Sequence, residues 1–274
     1  MSTLDAFFEN VKLPTISEVG HELIKTLNDE DASMKEVSSI ISRDPALIAK
    51  LLRLANSAAF GLPRGVSSVD DAIAMVGMAK VRTLSLASCF NDSFPMLPGL
   101  NPKEFWASSM ATAGYAQWMA GGIGADTQQA WLTGMMLRLG ELLIGQADPA
   151  TLKEIEKLPH LPGARWEREK TLVGFTEGQV TGELARRWNF PKEIVLGLQQ
   201  SYEPISHKPF SRLAAIVNLS GLLADTPQAA VEALDELPQD LVHALLMDDS
   251  WMHAKFPAHD SFITLYQPVN DEKS

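Results

Sequence analysis

Residues 44–87 read "DPALIAKLLRLANSAAFGLPRGVSSVDDAIAMVGMAKVRTLSLA", and the spacing of their apolar side chains decides the fold class. Leu47, Leu51 and Leu54 recur three and four residues apart, which is the period of one buried face of an α-helix. Asp44 supplies a side-chain acceptor for the amides of the first turn. Pro45 gives up an amide that would be unpaired there in any case. The helix ends near "ANSAAFG", and Gly61 and Gly65 then permit a tight loop. Ser68 caps a second helix that buries Ala72, Ile73 and Val76; Gly77 breaks it, and a third helix buries Val81, Leu84 and Leu86. Periodicity alone makes this a helical packing unit without evident chemistry.

The same punctuation recurs outward in both directions. Asn101-Pro102, Asp148-Pro149 and Thr226-Pro227 each precede a helix-like pattern. Ser33 with Glu36, and Thr176 with Gln179, have capping-box spacing. Ile16, Val19, Leu23 and Leu27, and later Val180, Leu184 and Trp188, repeat the helical period. No stretch alternates with a period of two for long enough to form a sheet. The expected fold is all-α. Its most irregular internal stretch, "NDSFPMLPGLNP" at 91–102, divides an N-terminal lobe (1–95) from a C-terminal lobe (96–274).

Composition narrows the function classes. The formal charge of −11 opposes a nucleic-acid backbone, which needs a concentrated cationic surface. The nearest approach to one, "ARWEREK" at 164–170, has Glu167 and Glu169 among its cations and reads as a solvated helix face. No apolar run reaches the roughly 18–20 residues that span a bilayer. The N-terminus lacks a basic region before a hydrophobic one, so a cytoplasmic protein is expected. Cys89 reads as a small buried side chain. The sequence carries no dinucleotide fingerprint, P-loop or nucleophile elbow.

The run "DPALIAKLLRLANSAAFG…SSVDDAIAMVGMAKVRTLSLA" resembles the HDOD domain, a bacterial module related to the HD phosphohydrolases and often associated with signalling proteins. The resemblance extends from about Leu13 to about Asp225. It implies an N-terminal helical lobe packed on a lobe similar to the HD core. HD phosphohydrolases hold divalent metal ions with His and Asp side chains, and the metal activates water and polarises a phosphoryl oxygen.

The resemblance also places those ligands in this sequence. Ser108 stands in the first histidine place. In "TGMMLRLGELLIGQA", 133–147, Gly134 and Gly140 keep the register of a buried core helix, but Leu137 and Arg138 occupy the His-Asp places. Ser201 and Tyr202 stand where a histidine pair is usual, and Gly221 where an aspartate is frequent. No cofactor is therefore expected. Arg138 either pairs with Glu141, three residues on, or meets a small bound anion.

Other candidates are few. His259-Asp260, the only such dipeptide, reads as a surface loop; a displaced metal site there would suit the alternative of a metal-dependent phosphohydrolase. His21 reads as solvent-facing and His243 as partly buried. The leading expectation is a non-catalytic signalling module that binds a protein partner or an anionic ligand. Arg53, Asn56, Phe60, Arg64, Arg82 and Arg138 are its candidate contact residues.

Overall fold

The computed structural model describes residues 4–29, 31–56, 65–157, 161–226 and 229–263. Phe60, Arg64, Gly61 and Pro227 lie outside these residues. Every regular element described is helical. The punctuation read from the sequence sets the starts. Asp44 Oδ1 accepts the amides of Ala46 and Leu47, both at 3.0 Å, and opens α4 (Pro45–Ala55). Ser68 opens α5 (Val69–Val76) through the Asp71 amide, and Gly77, at φ +96°, turns the chain into α6 (Met78–Ser93). Only a residue without Cβ takes that φ without strain.

These three helices pack with α2 (Glu18–Leu27) and α3 (Met34–Ile41) into the N-terminal part. After the irregular stretch, Asn101 caps α7 (Pro102–Gly122), which packs against α8 (Thr127–Met136) and α14 (Arg212–Asp225). Around them lie α9 (Leu139–Ala147), α10 (Pro149–Ile155), α11 (Ala164–Leu172), α12 (Glu177–Arg187) and α13 (Lys192–Gln199). Thr176 and Gln179 complete the expected capping box at the start of α12. Beyond Thr226 the described chain forms only a 3₁₀ turn, Val231–Leu234, before α15 (Gln239–Ala244), α16 (Asp249–Lys255) and α17 (Asp260–Ile263).

One apolar core runs continuously from Phe8 through Phe94 and Phe105 to Val217, so burial does not divide at 91–102. A second cluster joins α7 and α14 to the C-terminal helices. There Phe262 and Trp251 lie against the bare backbone of Gly114 and Gly122.

The stretch 133–147 departs from the single helix its sequence suggests. It breaks at Leu137–Arg138, between α8 and α9. The Leu137 carbonyl accepts the Thr181 hydroxyl at 2.9 Å, and the Glu141 amide turns to the Arg138 carbonyl at 3.1 Å. The side chain of Thr181 thus takes the acceptor that a continuous helix would have used. The register glycines have a packing cause. A Cβ at Gly134 would lie 2.9 Å from the Thr112 carbonyl of α7, and one at Gly140 would strike the Glu177 carbonyl of α12.

Candidate functional site

Three of the residues that the resemblance puts in ligand places, Leu137, Ser201 and Gly221, lie close together beside α12 and α14. A Cβ at Gly221 would lie 3.3 Å from Leu137 Cδ2 and 2.7 Å from Trp166 Cζ2. At Gly178 a Cβ would lie 3.2 Å from Leu137 Cδ1 and 2.5 Å from Ser201 Oγ. Leu137, Gly221 and Ser201 are therefore gathered at one place, which the Leu137 side chain and the Trp166 ring fill with carbon. Ser201 donates its hydroxyl to the Leu198 carbonyl at 2.8 Å. The Tyr202 hydroxyl points outward to Glu167 at 2.9 Å. Ser108 is half-buried on α7.

Arg138 does not face solvent. Its Nε and Nη2 both donate to Glu141 Oε2, at 3.0 and 2.6 Å, and Nη2 lies 3.4 Å from Glu156 Oε1. Its guanidinium lies 4.8 Å from the centre of the Phe105 ring. The internal pair with Glu141 is thus present.

A second arginine, absent from the candidates named on sequence grounds, completes the arrangement. Arg165 donates to Asp225 Oδ1 at 2.7 Å and to Glu177 Oε1 at 3.3 Å. Its Nε lies 3.8 Å from Glu156 Oε1. Trp166 Nε1 donates to the same Glu177 oxygen at 2.8 Å. Glu169 accepts the Glu177 amide at 2.7 Å. The segment 164–170 is therefore not a solvated face. Arg165, Trp166 and Glu169 are buried, while Glu167 and Lys170 remain exposed. Residues 165 and 169 share a helix face, and with few apolar residues in α11 that face must bury charge to pack.

The electrostatics follow from burial. Glu141, Glu169 and Glu177 are all 0% exposed. Burial alone would raise the Glu141 carboxyl, but Arg138, Arg165 and a hydrogen bond from Glu156 hold it below the ordinary range. Burial and the neighbouring Glu141 push Glu156 up to about 8. Burial, with Glu177 beside it, raises Glu169 well above the ordinary range. Glu177 is raised by burial against the pull of Arg165.

The remaining candidates do not join this site. Asn56 spends its side-chain amide on the Val66 backbone, donating to the carbonyl at 2.8 Å and accepting the amide at 2.7 Å. Arg82 donates to the Thr26 carbonyl at 2.7 Å, and Arg53 is exposed. His259 is no simple surface loop: it is half-buried, with Nδ1 3.2 Å from the Tyr115 hydroxyl. His253 lies by Asp235 and Asp249. His243, read as partly buried, is exposed. Among the described residues no three His, Cys, Asp or Glu side chains converge in a metal-binding arrangement. No described helix is long and apolar enough to cross a membrane.

Comparison with known proteins fits this architecture. The sequence pattern of the HDOD domain matches residues 13–204. The chain belongs to the HDOD domain family. Among solved structures, a candidate phosphohydrolase of Shewanella amazonensis SB2B is 28% identical to this HDOD protein, with a TM-score of 0.75 over 95% of this chain and 96% of that one. An HDOD domain protein of unknown function from Geobacter sulfurreducens superposes with a TM-score of 0.71 at 23% identity, over 92% and 91% of the two chains. An uncharacterized protein of Treponema pallidum (strain Nichols) is 25% identical over 208 residues. That stretch is 73% of the HDOD chain but only 40% of the relative's length.

Proposed function

We propose that this HDOD protein is a non-catalytic signalling module, a binding scaffold in which the HD metal positions have been converted to packing. The observation that carries the reading is the Leu137 side chain, wedged between Gly178 and Gly221 beside Trp166. A leucine offers no donor atom. The adjacent Arg138 carries a permanent charge and is already bonded to Glu141. These residues do not suit a divalent ion, and no hydrolytic step is assigned to them. Arg138 is likewise engaged internally, which favours a protein partner over an anionic ligand in that position. The exposed Arg53 remains a candidate contact for such a partner.

The test is elemental analysis of the purified protein, together with turnover on nucleotides and model phosphate esters with manganese or magnesium added. The reading expects no stoichiometric metal and no turnover. Metal-dependent hydrolysis that survives purification and disappears in His259→Ala or Asp260→Asn would overturn it in favour of a displaced phosphohydrolase site.

A further inference from the structure

Acidic residues alone mark only a solvated surface, but the turn between α15 and α16 adds an apolar side chain that nothing covers. The Leu246 amide donates to the His243 carbonyl at 3.0 Å, and the Met247 amide reaches the Val242 carbonyl at 3.3 Å, which closes the end of α15. This closure holds Leu246 at φ +57°, in the left-handed region. Glycine or asparagine suits that place, because a larger side chain is strained there. Leucine stands there instead and is 86% exposed, more than any other large apolar residue described. A lone exposed leucine is ordinary on a protein surface. A leucine held bare in a turn that favours glycine is not.

The charge around it has one sign. Residues 229–263 contain seven Asp and Glu against a single cation, Lys255, so they hold six of the eleven excess negative charges of the protein. All seven acids are exposed. Asp240 stands on the exposed side of α15 with His243 and Ala244, and Asp248 and Asp249 follow Leu246 directly. Asp248 Oδ1 accepts the Trp251 amide at 2.9 Å and so opens α16. The inner sides of the two helices are spent on the second core, through Leu241, Val242, Leu245 and Met252. Both helices lie beyond residue 204, where the match to the family's sequence pattern ends.

We propose that the turn between α15 and α16 is a docking surface for a basic amphipathic segment of a protein partner, which covers Leu246 with apolar side chains and meets Asp240, Asp248 and Asp249 with Lys or Arg. Charge selects this occupant. The same aspartates repel nucleic acid and an anionic lipid surface, and a second copy docking through this face would bring equal negative charge against them. The proposal rests on the reading of the protein as a binding module. Its test involves no metal and no phosphate ester, so each can fail without the other.

The probe is a peptide of about 18 residues, leucine and arginine patterned as an amphipathic helix. It is titrated into the full chain and followed by calorimetry and by the indole N–H signals in NMR. A second peptide of equal charge carries serine at each leucine position. Trp251 is the local reporter, its signal identified with Trp251→Phe. Burying one leucine side chain corresponds to about a tenfold or greater gain in affinity. The leucine peptide should therefore bind at least about tenfold more tightly than the serine peptide. It should shift the Trp251 signal and leave Trp131, Trp166 and Trp188, in the main core, unmoved. Leu246→Gly removes the side chain and relieves the backbone, so it should fold at least as well as the wild type, lose the preference for the leucine peptide and keep the weaker, charge-driven binding. D248N/D249N keeps the cap, since asparagine caps as well as aspartate, and should weaken both peptides alike, most at low salt. Equal affinity for the two peptides, a preference that survives in L246G, or no binding to the wild type would each overturn the proposal. So would a dimer of the protein alone that L246G dissolves, which would give the surface to a second copy.

Discussion

One carboxylate oxygen, Glu141 Oε2, accepts both Nε and Nη2 of Arg138, which stands at the break between α8 and α9, with Glu141 in the first turn beyond it. The break and the pair support each other. Releasing the ladder at Leu137 sets the guanidinium beside the Glu141 carboxylate, and the bond in turn satisfies a charge that burial would otherwise penalise.

The pair should therefore behave as a buried unit. Arg138→Met leaves Glu141 beside a diminished positive charge and is expected to cost about 3–5 kcal/mol of unfolding free energy. The double variant R138M/E141L replaces both charges with apolar groups of similar size and should recover most of that loss. Urea denaturation of the two single variants and the double one measures the coupling. Additive losses would mean that the pair contributes nothing as a pair.

The second expectation concerns Gly221. Its Cβ would lie 2.7 Å from Trp166 Cζ2, and that ring is fixed by its bond to Glu177. Gly221→Ala should destabilise by about 1–3 kcal/mol through overpacking. Gly121→Ala is the control, because the nearest atom to its Cβ is Thr127 Cγ2 at 3.8 Å. There the added methyl of a helical residue would make only an ordinary van der Waals contact, and alanine should be neutral or stabilising by up to about 1 kcal/mol. Thermal melts of the two variants should move in opposite directions.

These contrasts show which parts of the molecule the sequence makes legible. Helix starts are local events: Asp44, Ser68, Asn101, Asp148 and Thr176 each cap a helix using amides two or three residues away. The motifs from which the ligand places are assigned by resemblance are local in the same way, and so are legible. The buried cluster was not. Arg165 and Glu169 sit in a segment of ordinary surface composition, and what buries them is Glu177, Asp225 and Glu156 arriving from other helices. The available hint was Trp166: a tryptophan among charges marks a helix face with something to pack against.

At the acid end of the pH range the third expectation applies. Glu183 is held below the ordinary carboxylate range, chiefly by the hydrogen bond from Arg186 and also by Arg187. A depressed folded value means stability present above the unfolded value of 4.5 and lost as pH falls through the folded one. Glu183→Gln should therefore make the acid limb of the melting-temperature profile shallower below pH 4.5 while leaving the alkaline limb unchanged. An unchanged acid limb would show that these surface arginines are screened to no effect.

The last expectation isolates the clamp that breaks the helix. Thr181 Oγ1 accepts the Gly140 amide at 2.7 Å and donates to the Leu137 carbonyl at 2.9 Å, so one buried hydroxyl serves both ends of the α8–α9 junction. Valine has nearly the same shape but leaves a buried donor and a buried acceptor unmatched. Thr181→Val should cost about 2–4 kcal/mol, more than a hydrogen bond between exposed groups would. Serine keeps the hydroxyl and loses only a methyl, so Thr181→Ser should cost about 1 kcal/mol. Equal losses for valine and serine in chemical denaturation would show that Thr181 acts by packing, and the cause of the break at Leu137 would have to be sought elsewhere.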